Sequence, residues 1–452
     1  IEKAARENNE KPIELANRMV EVFKKLWKVC YVSNNDFIRT SEELHVRQIE
    51  SIFKKLYENG DIYLGEYEGW YCVPCESFWT DMQLAAGNCP ECHRSVEKLR
   101  EKNYFFCLSK FQKVLLKHFE DHPDFIKPKS RWNELHKRLE KGIDDISVSR
   151  AAVEWGIPVP MDTSQTIYVW VDALFNYVTA LEYVNCSETF KKFWPANVQI
   201  IGKEILWFHG VVWPAMLLSL GLEIPHQIFA HGWWTLEGKK ISKSLGNAID
   251  PVKITDTYGV DAYRYFLLRE VPFGLDGNFS IGALVNRINS DLANDLGNLL
   301  HRALTMIEKY CDGTVPEVKC ETREGLELKG KSQTLNIEVE LATENLQLSR
   351  TLEAIWESIK LVNKYVEVSK PWELAKNPAT LVNLHEVLYN LVEAIRIVSF
   401  FIFPFMPGKA IEIQKQLGLT EDDEPAYEGV TWGGMKPGTK IYKGKPIFPK
   451  VE

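Results

Sequence analysis

Apolar residues change their spacing along this chain, and each change predicts a different kind of element. Residues 13–27 place Ile13, Leu15, Met19, Val22, Phe23 and Leu26 at helical spacing with polar residues between them, which predicts an amphipathic helix. A second helical stretch follows Thr40, which precedes Glu42 and Glu43 and is the expected N-cap. From Gly65 to Cys107 the pattern breaks into short strand-like pieces rich in Gly, Cys and aromatic residues. Residues 166–171 (Thr-Ile-Tyr-Val-Trp-Val) and 198–201 (Val-Gln-Ile-Ile) are continuous apolar runs. Such runs suit strands of a parallel sheet covered on both faces. With helical patterns between and after them, the middle of the chain reads as α/β.

After about residue 281 the strands give out. Leu284 to Ile307, Leu346 to Val368 and Leu381 to Phe403 are long helical patterns. Ile355, Ile359, Val362 and Val366 form one stripe, and Leu384, Leu388, Leu391, Ile395 and Val398 form another. This half is expected to be a helical bundle. Residues 421–452, with their Pro and Gly, are expected to form an irregular appendage that packs back or frays. The longest apolar stretch, Ile397 to Met406, is broken by Pro404 and followed by Pro407, too short to cross a bilayer.

Composition narrows the picture only in part. The 452 residues allow two to four domains, and 14 Trp with 12% aromatic residues exclude a disordered chain. Lys and Arg number 54 against 62 Asp and Glu, a net charge of −8, so the surface as a whole does not attract nucleic acid. A local basic groove stays open, because phosphate contacts depend on where cations sit. Lys436, Lys440, Lys443, Lys445 and Lys450 crowd the closing stretch against Glu452, a run that ordinarily is a solvated tail. The segment from Ile1 has no apolar core of the signal-peptide type. A cytoplasmic protein with reduced thiols is expected, and because residue 1 is not Met, a segment upstream is expected too.

The nine cysteines include two close pairs, Cys72-Val-Pro-Cys75 and Cys89-Pro-Glu-Cys92, with thirteen residues between them. A two-residue gap lets one tight turn aim both sulfurs at a single ion, and four thiolates make a closed tetrahedral shell that suits one structural zinc. No position is left for a reactive water. Two disulfides or four unrelated thiols are the alternatives, and a reducing compartment disfavours the first. His93 is read as exposed, and Cys30 and Cys107 as core.

Residues 238–247, Gly-Lys-Lys-Ile-Ser-Lys-Ser-Leu-Gly-Asn, hold three lysines and two serines between glycines. Ammonium groups on such a loop can neutralise a polyphosphate during nucleotidyl transfer, although by itself a basic Gly-flanked loop reads as a solvated turn. It is not a Walker loop. Lys240-Ile241-Ser242-Lys243-Ser244 resembles the KMSKS signature of class I aminoacyl-tRNA synthetases, with Ile in place of Met at the second position. Residues 201–209 (Ile-Gly-Lys-Glu-Ile-Leu-Trp-Phe-His), 230–233 (Ala-His-Gly-Trp) and 168–174 (Tyr-Val-Trp-Val-Asp-Ala-Leu) are similar to blocks of the methionyl-tRNA synthetase family. The likeness runs the length of the chain.

The resemblance implies a class I Rossmann-like parallel sheet with an inserted zinc knuckle, followed by an all-α anticodon-binding bundle. The division it implies is residues 1–64 for the remainder of the first catalytic half and 65–107 for the zinc-binding insertion. Residues 108–235 form the second catalytic half, 236–280 the KMSKS-type linking region, 281–420 the anticodon-binding bundle and 421–452 the appendage. The implied reaction joins methionine to its tRNA through methionyl-adenylate, with ATP and Mg as substrate. Lys240 and Lys243 would be catalytic, and His231, Gly232, Lys240, Ser242 and Lys243 would bind ATP. Trp170, Tyr177, Phe208 and His209 would enclose the thioether, which packs well against ring edges, with Glu204 as a further substrate-binding pocket residue. Asn298 and Arg302, four apart on one helix face, would read the anticodon together with Trp372, whose indole can stack on a splayed base. Cys72, Cys75, Cys89 and Cys92 would hold the zinc.

The family's HIGH-type loop has no counterpart here, since no H-x-G-H occurs in the sequence. The expectation is that the stretch 1–452 alone does not form adenylate, whereas the full-length protein does. A non-catalytic, zinc-stabilised tRNA-binding protein on the same scaffold is the alternative.

Overall fold

The computed structural model describes residues 1–73, 77–79, 84–90, 93–151, 153–236, 238–240, 249–420 and 430–452. They fall into two units, residues 1–21 with 34–231, and residues 22–33 with 232–452.

After a short helix, Glu2–Glu7, comes the predicted helix, observed as Pro12–Val29, whose residues divide between the two units. The next helix is Glu43–Glu58, and Thr40 is not its cap: Glu42 holds the N-cap position, with no side-chain cap bond. Its start is set instead by the face that buries His45, Ile49, Ile52, Phe53 and Leu56, a gain that outweighs a cap of about 1 kcal/mol. The region expected as short pieces contains two long antiparallel strands, Ile62–Cys72 and Glu97–Phe106, paired from Ile62 opposite Phe106 to Tyr71 opposite Glu97. Their many charges obscured the strand pattern. In the ribbon such charges become cross-strand partners, as Glu66 does opposite Lys102 at 3.7 Å.

A second correction concerns residues 166–171. The strand Asp162–Ile167 ends early, and a helix, Val169–Thr179, starts two residues later. That strand pairs antiparallel with Ser149–Arg150 and Pro158–Val159, so it is no part of a parallel sheet. Val171, Leu174, Phe175 and Val178 are all buried, and this i, i+3, i+4, i+7 spacing fixes the helix. The parallel sheet has three strands in the spatial order Ile126–Lys127, Ile228–His231, Gln199–Gly202. Phe53, Phe106, Phe119, Phe125, Phe175 and Trp213 fill the core of this unit. Cys30 and Cys107 are half-buried rather than core, while His93 is exposed as read.

In the second unit the helical run begins as Ile281–Arg287, widens to a π-helix over Ile288–Gly297 and returns to α over Asn298–Tyr310. Side chains of the helix Leu348–Ser369 cap carbonyls of the π segment. Trp356 Nε1 donates to Asp291 O at 3.3 Å, and Asn363 Nδ2 donates to Asp295 O at 3.0 Å. Both predicted stripes are buried, and the third long helix is Leu381–Ile402. The sequence reading missed a further helix, Arg323–Glu344, whose Gly325 and Gly330 lower its propensity; Leu328, Leu335, Val339 and Ala342 bury one face of it.

The closing segment packs back, burying Val430, Met435, Ile441, Ile447 and Phe448 in this unit's core. Glu393 anchors it. Its carboxylate, fully buried, accepts from the backbone N–H groups of Gly433, Gly434 and Met435 at 2.6–3.1 Å and pairs with Arg396 at 2.8 Å. No helix among the described residues is long and apolar enough to cross a membrane.

Candidate functional site

Ligands of parallel α/β sheets bind outside the carboxyl ends of the strands, and that end collects several of the expected residues. Gly202 and His231 close neighbouring strands and stand opposite each other in register. The Glu204 carboxylate packs against Gly202, both oxygens lying 2.6 Å from where a Cβ would stand. Glu204 folds back over the strand end on the short 3-10 turn Lys203–Ile205. A π-helix, Phe208–Val212, follows and runs into the helix Trp213–Ser219. π segments are uncommon and recur at functional sites. Gly210 lets the segment pack closely on Leu135, whose Cδ1 would lie 2.4 Å from a Cβ there.

The π segment presents Phe208 and His209 to the helix Val169–Thr179. Trp170 stacks on Phe208 with ring centroids 4.2 Å apart and planes 8° from parallel. His209 meets Trp170 edge-on at 6.2 Å and Tyr177 at 5.8 Å. Two hydrogen bonds fix the tautomer of His209. Nδ1–H donates to the Ile205 carbonyl at 3.0 Å, so Nε2 accepts the Tyr177 hydroxyl, also at 3.0 Å. Burial pushes the His209 pKa down, partly offset by the Ile205 carbonyl, and pushes Tyr177 up to about 12. The pair is neutral at physiological pH. Four of the five expected pocket residues (Trp170, Tyr177, Phe208 and His209) thus form one aromatic cluster with an uncharged polar end, and Glu204 follows the strand that leads into it.

The sequence reading missed Trp213. Its fully buried ring lies 6.1 Å from Tyr177 and 5.0 Å from Phe175, and its Nε1 has no hydrogen-bond partner. The only available signal was its position four residues after His209 in a helical run. Arg150 was missed too; it is buried with its guanidinium 3.8 Å from the ring centre of Tyr168, the N-cap of the pocket helix.

In the second unit, Gly232 approaches backbone so closely that a Cβ would overlap the Leu275 carbonyl. Lys239–Lys240 forms a short strand antiparallel to Trp234–Leu236, with Lys240 opposite Thr235. Ser242 and Lys243 lie outside the described residues. In the bundle, Asn298 is exposed and Arg302 pairs with Glu367 at 2.7 Å. Glu367 is in the last turn of Leu348–Ser369, and Trp372 follows on the short helix Pro371–Leu374, half-buried against the core. The ion pair therefore ties the Asn298/Arg302 face to the segment that carries Trp372.

Cys72 ends its strand, and the Cys89 carbonyl accepts from the His93 N–H at 2.9 Å. Both thiols are fully buried. Cys75 and Cys92 lie outside the described residues, and among those described no three His, Cys, Asp or Glu gather as metal ligands.

Comparison with known proteins gives first the class. The family model described as tRNA synthetases class I (M) matches residues 1–99 and 93–304. Among curated proteins, the chain is 50% identical over 453 residues to the methionine–tRNA ligase of Caldanaerobacter subterraneus subsp. tengcongensis, spanning all of this chain and 71% of that protein. It is 44% identical over 454 residues to that of Thermotoga maritima, spanning 99% of this chain and 72% of that one. Its structure matches that of Mycobacterium tuberculosis methionyl-tRNA synthetase bound by methionyl-adenylate, with TM-score 0.94 and 39% identity over 99% of this chain and 89% of the other. The chain belongs to the methionyl-tRNA synthetase family, and so to the aminoacyl-tRNA ligases.

Proposed function

We propose that the chain serves the ATP-dependent ligation of methionine to its tRNA. The observation that carries this reading is the neutral Tyr177–His209 pair beside the stacked Trp170 and Phe208, at the carboxyl end of the parallel strands. An uncharged thioether fits such a box, whereas a charged side chain entering it would lose hydration without gaining a counter-ion. Glu204, at the strand end, would face the polar part of the amino acid.

In the first step a carboxylate oxygen of methionine bonds to the α-phosphorus of magnesium-bound ATP, and the bond to the bridging oxygen breaks, releasing pyrophosphate. Lys240 and Lys243, with Ser242, His231 and Gly232, would hold the triphosphate, the lysines offsetting charge that builds on the leaving group. In the second step a terminal ribose hydroxyl of the tRNA bonds to the carbonyl carbon, loses its proton, and AMP departs. Asn298, Arg302 and Trp372 would read the anticodon by base-edge hydrogen bonds and stacking, the latter worth about 1–3 kcal/mol per base.

Cys72, Cys75, Cys89 and Cys92 would hold one structural zinc. The two described thiols fit, because each is fully buried and each belongs to a separate C-x2-C pair. The division into catalytic halves, zinc insertion (65–107), linking region (236–280) and anticodon-binding bundle (281–420) is part of the same proposal.

ATP–pyrophosphate exchange by the full-length protein tests it. Methionine-dependent exchange that Lys243→Ala slows at least tenfold, with little change in methionine binding, is the expected result. Absence of exchange would favour the non-catalytic tRNA-binding alternative, and an unchanged rate in Lys243→Ala would remove that lysine from the mechanism.

A further inference from the structure

His45 is almost completely buried, on the first turn of Glu43–Glu58, and it is used by nothing in the proposed reaction. Both of its ring nitrogens are engaged by the pocket helix Val169–Thr179. Nε2 lies 2.6 Å from Asp172 Oδ1, and Nδ1 lies 2.6 Å from Thr179 Oγ1. A carboxylate only accepts, so Nε2–H donates to Asp172, while Nδ1 meets the threonine hydroxyl. Asp172 and Thr179 are seven residues apart, hence two turns and about 10 Å along one helix face. The imidazole lies along that face and joins its two ends. Gln48, from the same helix as His45, adds a bond from Nε2 to the Thr179 carbonyl at 3.0 Å.

The aromatic rings of the pocket follow the same seven-residue interval. Trp170 and Tyr177 each stand two residues before Asp172 and Thr179, which at about 100° per residue puts them near the opposite side of the helix. One face is held by His45 while the other presents Trp170 to Phe208 and Tyr177 to His209. A slide or rotation of this helix by a fraction of a turn would break both the ring stack and the Tyr177–His209 hydrogen bond. Each of those contacts depends on tenths of an ångström, and a hold at both ends of the helix resists that movement.

We infer that His45 is a positioning residue for the amino-acid pocket, setting the register of the helix that carries Trp170 and Tyr177. This rests on the proposed assignment of that pocket to methionine. It is tested by pyrophosphate exchange on the full-length protein, varying methionine and ATP separately. His45→Phe keeps a planar ring, slightly larger, and removes both hydrogen bonds; it is expected to raise the KM for methionine about tenfold, with the KM for ATP within about twofold of the parent. Thr179→Val breaks one end and should give a smaller rise of about threefold, while Thr179→Ser and Asp172→Asn, which can keep the bonds, should restore parental values. If His45→Phe does not fold, the Thr179 pair decides. A lowered melting temperature with an unchanged KM for methionine, or an equal rise for both substrates, would overturn the inference. Trp170→Ala serves as the reference: a raised KM there with no change in the His45 and Thr179 variants refutes only the positioning role. An unchanged KM in Trp170→Ala sinks the pocket assignment and this inference with it.

Discussion

The aromatic pocket and the helical bundle both bury polar groups, and they handle the burial in opposite ways. In the pocket the groups stay neutral. His209 gives its one proton to a carbonyl and takes one from Tyr177, and desolvation keeps both uncharged. In the bundle, Glu393 and Arg396 form a buried ion pair that also engages three backbone N–H groups and the Thr431 carbonyl. A neutral site leaves its recognition open to an uncharged guest. This buried ion pair spends its carboxylate on Arg396 and three backbone N–H groups, and it serves to hold the segment 430–452 in place. Both regions contain a π segment, Phe208–Val212 in the pocket and Ile288–Gly297 in the bundle, but the pocket sets its own beside a 3-10 turn and the bundle beside three helices of 22 residues.

If this contrast is right, disturbing each region should damage a different property. The largest effect is expected from Glu393→Ala, which strands a buried guanidinium and three N–H groups: about 3–5 kcal/mol of stability lost in denaturant unfolding, with the KM for methionine unchanged. A loss under about 1 kcal/mol would reduce the anchor to a bystander. Tyr177→Phe should do the reverse. It leaves His209 Nε2 without a donor, raising the KM for methionine by a factor equivalent to about 1–3 kcal/mol, while the unfolding midpoint moves little. Ile395→Val, in the buried stripe of the bundle, should lower stability by about 0.5–1.5 kcal/mol and leave methionine kinetics untouched.

The smallest effect concerns pH. His209 is held below the ordinary histidine value of about 6.5, and burial brings His118 down to about 4. For both, the unfolded chain binds the proton more readily than the folded one. Their contribution to stability is whole above about pH 6.5 and is lost as pH falls from there toward the folded values. The melting temperature should therefore be insensitive to these groups from pH 8 to 6.5 and should decline below that. His118→Gln should flatten the decline between pH 6.5 and 4; an unaltered slope would show that His118 is not held neutral.

Much of the bundle was legible from spacing alone. The stripes Ile355–Val366 and Leu384–Val398 are buried throughout, because a long helix with one apolar face has few ways to pack. The helix Arg323–Glu344 escaped because its glycines and scattered leucines carry no clear period. Among the pocket elements, the strand 199–202 was readable and the run 166–171 was not. Val-Trp-Val is equally compatible with strand and helix until one knows that Leu174, Phe175 and Val178 are covered on the same side. Residues 62–106 failed for a different reason, since paired charges across a ribbon look like loop composition when each strand is read alone.

The order of residue types along the chain was enough to determine which chemistry is present: two C-x2-C pairs, a lysine-rich loop, and aromatic residues beside a histidine, in blocks similar to one family. It could not determine which proton His209 carries, that Glu204 folds over Gly202, or that His45 spans the helix bearing Trp170 and Tyr177. Those depend on contacts between residues far apart in the chain, 134 positions for His45 and Thr179. Local propensity carries no information about such distances. Only the packed structure brings the partners within hydrogen-bonding range, and there the missing solvent makes each proton's place energetically decisive.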